Sequence, residues 1–321
     1  VSDVLRVGTR RSALALWQTE SVRARLHAAG LVTERIEIRT TGDAVTDVPL
    51  SRIGSRALFT KQLDDALLEG GIDLAVHSLK DLPTALPDGI AIAAVSARED
   101  PSDALVVRRG GPRSITALPH GATVATSSLR RRAQLLAWRA DLHVAEVRGN
   151  VDTRLAKLDA SAEWSAIVLA AAGLLRLGLA ERIGERIAPE IMLPAPGQGA
   201  LVVTARAGDA RVRRALATLH DEAAWLAVTA ERAFLGRLEG GCQVPVAALA
   251  TPGADGELRL RGRVLSLDGR SAVSVERLGR ASSAADAEAL GDALAAEALA
   301  RGAGPILAAV RASAAPAVTG P

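Results

Sequence analysis

Two stretches of this 321-residue chain repeat one order of elements, and that order restricts the fold more than any other feature. In the first, Val4–Gly8 reads as a short strand, and Ser12 can cap a helix carrying Leu14, Leu16, Trp17, Val22 and Leu26. Arg35–Arg39 alternates like a strand, a helix is predicted over Thr60–Glu69, and Ile72–Val76 is the next strand. The second stretch begins with the strand Ala122–Ala125, and Thr126-Ser127-Ser128 opens a helix that runs to Trp138. Strand Leu142–Val147, a helix over Asp152–Leu158 and strand Ala166–Leu169 complete it. Two β-α-β-α-β units in succession predict two α/β domains with mainly parallel sheets. The spacings differ, so this is a repeat of order and not a solenoid.

The later third reads differently. Met192–Ala200 holds two prolines and two glycines, which suits a crossing between domains, and Leu201–Thr204 reads as a return strand. A helix over Glu222–Leu238 leads to Leu238–Pro245, which carries the one cysteine of the chain, Cys242. Strands Val246–Ala250, Leu258–Val264 and Ala272–Leu278 follow, with a turn at Asp268-Gly269. An alanine-rich helix over Ala284–Ala300 and the run Ile306–Val310 close a smaller α/β domain. The expected boundaries are 1–97 with 199–217, then 101–195, then 220–313, and a frayed tail at 314–321.

Net charge is only +3, yet the 39 basic residues include just three lysines, Lys61, Lys80 and Lys157. Two Phe, four Trp and no Tyr leave few platforms for stacking bases, which argues against a single-strand nucleic-acid groove. Val1–Arg6 shows no basic-then-apolar leader, and charge interrupts each long apolar run. A cytoplasmic chain with no membrane or nucleic-acid partner is therefore expected.

Open α/β sheets bind ligands at the carboxyl ends of their strands, where helix N-termini offer free N–H groups to anions. Arg10 and Ser12 sit at such a junction, Ser127, Ser128, Arg130 and Arg131 at the matching one, and Arg148 and Arg154 flank the next. Guanidinium forks pair with carboxylate or phosphate, so the clusters point to an anion site. Arg132 and Arg139 read instead as a solvated helix face. Neither a Walker A loop nor a GxGxxG fingerprint is present. Lys80-Asp81, after a strand, is a candidate acid–base position. His77, His120 and His143 lack metal-ligand spacing, so no metal is expected, and His77 reads as a satisfied core residue. Cys242, behind Gly240-Gly241, is either a small buried hydrophobe or a nucleophile or tether presented on a turn.

Taken together, Arg6–Gln18 (RVGTRRSALALWQ), Ala75–Pro83 (AVHSLKDLP), Thr126–Arg131 (TSSLRR), Arg148–Asn150 with Arg154, Pro194–Ala200 (PAPGQGA) and Arg237–Pro245 (RLEGGCQVP) resemble the porphobilinogen deaminase (hydroxymethylbilane synthase) family. The segments span nearly the whole chain in the family's order. The resemblance implies an α/β fold: two periplasmic-binding-protein-like α/β domains plus a smaller C-terminal α/β domain with an open-faced antiparallel sheet. It implies a monomer that condenses four porphobilinogen molecules head to tail into hydroxymethylbilane with loss of ammonia. A dipyrromethane primer, held on Cys242 by a thioether, would be the cofactor.

By motif match, Arg10, Ser12, Lys80, Thr126, Ser127, Ser128, Arg130, Arg131, Arg148 and Arg154 would bind cofactor or substrate carboxylates, with Arg176 a further candidate. The same motifs add Gln18, Ser78 and Gln198 to the binding set, and Phe59 would stack on a pyrrole. Asp81 would protonate the departing amine and face the cationic pyrrole intermediates. Arg56 and Ala57 stand where the family pattern has Lys and Gly. The competing reading is a two-lobed organic-anion-binding protein without catalysis.

Overall fold

The strand Val4–Thr9 (β1) buries Leu5, Val7, Gly8 and Thr9, and Val7 and Gly8 stand beside Leu74 and Ala75 of the neighbouring strand. This computed structural model describes residues 4–40, 60–239 and 244–314. Ser12 caps helix Ala13–Ala28 (α1), its hydroxyl accepting from the Ala15 N–H, and Val22 and Leu26 pack onto Leu5, Val7, Leu74 and Val76. Strands Val32–Glu37 (β2), Leu74–Ser78 (β3) and Ile90–Val95 (β4) belong to the same sheet, with helix Lys61–Leu68 (α2) before β3.

Residues 96–102 then cross to a second sheet. It is built from Asp103–Val107 (β5), Thr123–Ala125 (β6), His143–Ala145 (β7), Trp164–Ala170 (β8) and Glu185–Ile187 (β9). Helices Leu129–Trp138 (α3), Val151–Ala160 (α4) and Ala171–Arg176 (α5) accompany it. Residues 188–200 cross back, and Leu201–Arg206 (β10) enters the first sheet, followed by helix Ala210–Ala215 (α6).

The two sheets have the orders β2-β1-β3-β10-β4 and β7-β6-β8-β5-β9, the same plan twice. The expectation of mainly parallel sheets needs correction. In the first, β1 runs parallel to β2 and β3 while β10 is antiparallel to β3 and β4; in the second, β6 is parallel to β7 and β8 while β5 is antiparallel to β8 and β9. The antiparallel member in each sheet is the strand that follows a crossing, so it arrives from the other unit and not over a helix of its own.

The third sheet is Val246–Pro252 (β11), Glu257–Leu265 (β12) and Ala272–Arg280 (β13), wholly antiparallel. Leu258, Leu260, Gly262 and Val264 of β12 face helices Glu222–Arg237 (α7) and Ala284–Ala298 (α8), while Glu257 and Arg259 on the other face are exposed. A Cβ on Gly291 of α8 would lie 2.3 Å from the Ala230 carbonyl oxygen, so these two helices approach as closely as they do because a glycine stands there. Gly269, at φ 73°, lets the β12–β13 turn rest against α3, where a Cβ would meet the Ala137 nitrogen at 2.4 Å.

The helical run Ala284–Ser313, which includes helix Gly304–Ala314 (α9) up to its last residue, departs from the expectation that charge breaks every apolar run. It spans 30 residues and holds an 18-residue window of mean hydropathy 1.3, which by length and composition alone is enough for a bilayer span. Its apolarity has a packing reason: Ala287, Leu290, Leu294, Ala295 and Ala298 sit in the core with Phe234, and Gly302 at φ 98° interrupts the run.

Asp64 of α2 is buried and its Oδ1 has no hydrogen-bond partner. Burial, with Asp65 beside it, pushes its carboxyl up to about 6. A raised acid costs stability when ionised, so the penalty is full above that value and vanishes below about pH 4, where the folded and unfolded chains both hold the proton. Asp64→Asn is expected to raise the melting temperature at pH 7.5, by at most about 3 kcal/mol in stability, and to leave it unchanged at pH 4.

Candidate active site

The carboxyl end of β1 delivers Arg10 and the α1 cap Ser12, and the end of β3 delivers Ser78, Lys80 and Asp81 through a short 3-10 turn, Leu79–Asp81. Of these, Arg10, Ser12, Ser78 and Asp81 line an open cleft together with Leu14, Ala15, Gln18, Thr60, Val76 and His77. Asp81 is the one carboxylate among these lining residues.

Supporting bonds hold this wall. Gln18 Nε2 donates to Ser78 Oγ at 2.7 Å, and His77 Nε2 meets Thr204 Oγ1 at 3.1 Å, which fastens β3 to β10. Burial, aided by the Arg10 charge, pushes His77 down to about 4, so it is neutral at physiological pH and serves as the core residue expected. Lys80 Nζ donates to Gln198 Oε1 at 3.4 Å. Its ammonium is pushed down to about 8, chiefly by desolvation and further by Arg131 and Arg130, with Asp81 and Asp103 opposing.

The second wall comes from the matching junctions of the second sheet. Thr126 Oγ1 accepts from Ser128 N–H, Ser127 Oγ donates to the Val147 carbonyl, and Ser128 Oγ caps α3. Arg154 Nε donates to the Gly149 carbonyl at 2.7 Å. Desolvation and the neighbouring Arg131 and Arg148 lower it to about 10, while Asp81 pulls the other way. Asp81 of one sheet thus acts electrostatically on Lys80, Arg131 and Arg154, which joins the two walls in one site. Arg148 stands apart in this wall: its Nε and Nη2 are buried without a hydrogen bond, and the Glu146 carboxylate lies 3.5 Å from Nε.

Several expected binding residues are instead engaged with the protein. Arg130 Nη1 donates to Asp103 at 2.6 Å and to the Leu193 carbonyl at 2.7 Å. Arg176 Nη2 donates to the Gly199 carbonyl at 2.6 Å, and its guanidinium stands 6.0 Å from the centre of the Trp17 ring. Gln198 Nε2 donates to Asp103, Pro101 and Ser102 across the crossings. Arg139, read as solvated, forms an ion pair with Asp141 and donates to the Leu118 carbonyl; Arg132 is exposed as expected. Cys242, Phe59 and Arg56 lie outside the described residues.

Sequence reasoning missed two buried acids, Asp103 and Glu231. Glu231 of α7 accepts from Arg98 at 2.6 and 3.0 Å, from Gly197 N–H at 2.6 Å and from Ala250 N–H at 2.7 Å. It binds both crossings and the third sheet to one carboxylate. Each acid meets partners distant in the chain, so no local motif marks either.

A cleft whose cations outnumber its carboxylates, with Asp81 acting electrostatically on them from the first wall, suits anionic ligands. Comparison with known proteins agrees. Residues 5–214 match the family model "Porphobilinogen deaminase, dipyromethane cofactor binding domain" and residues 225–300 match "Porphobilinogen deaminase, C-terminal domain". The chain is 51% identical over 311 residues to the porphobilinogen deaminase of Syntrophotalea carbinolica, covering 96% of each chain. It is 54% identical over 312 residues to that of Desulforudis audaxviator, covering 96% of this chain and 98% of the relative. Among solved structures it resembles lipoprotein Tp32 from Treponema pallidum, with TM-score 0.44 and 17% identity over 68% of this chain and 91% of that one. The chain belongs to the porphobilinogen deaminase family. It is a transferase of tetrapyrrole synthesis that joins porphobilinogen units into hydroxymethylbilane with release of ammonia.

Proposed function

We propose that Lys80, Arg131, Arg148 and Arg154, with Arg10, Ser12, Thr126, Ser127 and Ser128, receive the acetate and propionate groups of the pyrroles, and that Asp81 moves the protons. The observation that carries this reading is Arg148. Two buried guanidinium nitrogens make no hydrogen bond, and only Nε has a carboxylate near it, Glu146 at 3.5 Å, so a further anion at Nη2 would offset the cost, and pyrrole carboxylates have the matching charge and shape. Arg154, whose charge is disfavoured by burial and by Arg131 and Arg148 beside it, gains from the same anions. The donor set therefore fits a dipyrromethane bearing four carboxylates. When bound, that group supplies the pyrrole carbon to which substrate is joined.

The chain's residues do the rest. The cations orient the substrate and fix where its aminomethyl carbon lies. Asp81 gives a proton to the departing amine, which leaves as ammonia, and as a carboxylate then faces positive pyrrole nitrogen. Arg130, Arg176, Gln198, Gln18 and Ser78 act by holding these groups in place. Cys242, in the segment of sequence between α7 and β11, carries the dipyrromethane through a thioether. The three sheets support domain limits of 1–97 with 199–217, 101–195 and 220–313. The protein acts as a monomer in the cytoplasm, without a membrane or nucleic-acid partner.

Incubation with porphobilinogen tests the reading: ammonia release and uroporphyrin after oxidation are expected, whereas binding without ammonia would replace it with a passive binder. Intact mass should exceed the sequence mass by one dipyrromethane and lose that increment in Cys242→Ala; active protein with an unmodified cysteine excludes the tether.

Lys80 predicts a pH limb. A lysine lowered to about 8 is charged below that pH and neutral above it, so carboxylate binding is expected to weaken as pH rises through about 8. Lys80→Arg should keep binding up to higher pH, measured as KM for porphobilinogen between pH 7 and 10.

A further inference from the structure

The most connected group near the cleft is one that no motif marks. Asp103 opens β5, at the end of the first crossing, and is fully buried. Its Oδ2 accepts from Arg130 Nη1 at 2.6 Å. Its Oδ1 accepts from Arg130 Nη2 at 3.2 Å, Arg131 Nε at 2.9 Å and Gln198 Nε2 at 3.0 Å, and lies 2.8 Å from Arg131 Nη2. Gln198 then presents its oxygen to Lys80 Nζ. We propose that Asp103 is a positioning residue for this reaction: one buried carboxylate sets the placement of Arg130 and Arg131 and, through Gln198, of Lys80, so that the cationic wall stands before a ligand arrives. This rests on the reading that Lys80 and Arg131 receive pyrrole carboxylates.

Charge and geometry both support it. One carboxylate between two guanidiniums cancels one of their two charges, so the pair stays bound to the fold and still presents net positive charge to the cleft. Both remaining contacts of the pair are backbone carbonyls, of Leu193 in the second crossing for Arg130 and of Val168 in β8 for Arg131, which ties the forks to the main chain. The relay through Gln198 is also the point where the second crossing touches Lys80, so Asp103 links residues of both sheets. The charges facing Lys80 are Asp81, Arg131, Asp103 and Arg130; Asp103 is one of the two that favour its ammonium.

The test uses holoenzyme, with primer loading checked by intact mass, and compares Asp103→Asn, Asp103→Glu, Gln198→Met and Arg148→Gln. The chain has three lysines, so a 13C-labelled lysine NMR titration reads Lys80 directly, without turnover. Asp103→Asn should raise KM for porphobilinogen roughly 10–100-fold, and Lys80 should titrate below its wild-type value. Asp103→Glu keeps the charge and displaces the forks, so KM should rise while Lys80 titrates as in wild type. Gln198→Met should raise KM and lower the Lys80 titration point. If Asp103→Asn does not fold, the other two variants decide: wild-type KM in both overturns the proposal. A folded Asp103→Asn with wild-type KM and an unmoved lysine also overturns it. Arg148→Gln does not touch Asp103. A raised KM there with none at Asp103 defeats the positioning role alone, and no change at Arg148 defeats the carboxylate-binding reading on which it stands.

Discussion

Asp81→Asn protein is expected to fold, to carry its primer and to lose turnover by roughly 10²–10⁴-fold, the range that a positioned proton-transfer group contributes. Asparagine keeps the shape of the side chain, and the 3-10 turn that holds residue 81 is anchored by Leu79, which is buried and whose N–H donates to the Ala200 carbonyl. The loss therefore has to come from chemistry and not from packing. Two things disappear together: the proton donor for the leaving amine, and the negative charge that faces Lys80, Arg131 and Arg154. Single-turnover ammonia release separates them from substrate binding, since KM should change far less than kcat. Circular dichroism and intact mass check the fold and the primer. Turnover within a few-fold of wild type removes Asp81 from the mechanism.

Glu231→Ala should produce the largest loss of stability, about 3–5 kcal/mol, because it strands the Arg98 guanidinium and leaves the Gly197 and Ala250 N–H groups without their acceptor. Denaturant unfolding read by tryptophan fluorescence measures it. The double variant Arg98→Met with Glu231→Leu should recover much of that loss, since apolar side chains can replace a buried pair where a lone charge cannot remain. A double variant no better than Glu231→Ala would show that the two backbone N–H groups, and not the ion pair, dominate.

Much of the plan was legible from residues alone. Leu258, Leu260 and Val264 alternate with Glu257, Arg259 and Arg263, and β12 forms with those two faces. Ser12 and Ser128 were readable as caps, and both accept from the third residue beyond them. Strands β4, β5 and β9 were not read. They are short or lack alternation, and β5 buries Asp103 through Val106 in succession, as a strand covered on both faces does. The antiparallel entry of β5 and β10 was also hidden, because strand direction depends on where a crossing ends.

For this protein the sequence by itself determined which elements form, which junctions carry the cations, and which family the motifs resemble, since capping, alternation and motif order are local. The tertiary structure alone decided which arginines are already engaged. Arg130 and Arg131 look equivalent to Arg148 and Arg154 along the chain, yet Asp103 lies 27 and 28 residues away from the first two and reaches neither of the others. The same holds for Glu231, whose partner Arg98 is 133 residues distant. A charge's availability depends on what the folded chain brings within about 3 Å of it, and hydrogen-bond range is a property of space that spacing along the chain does not encode.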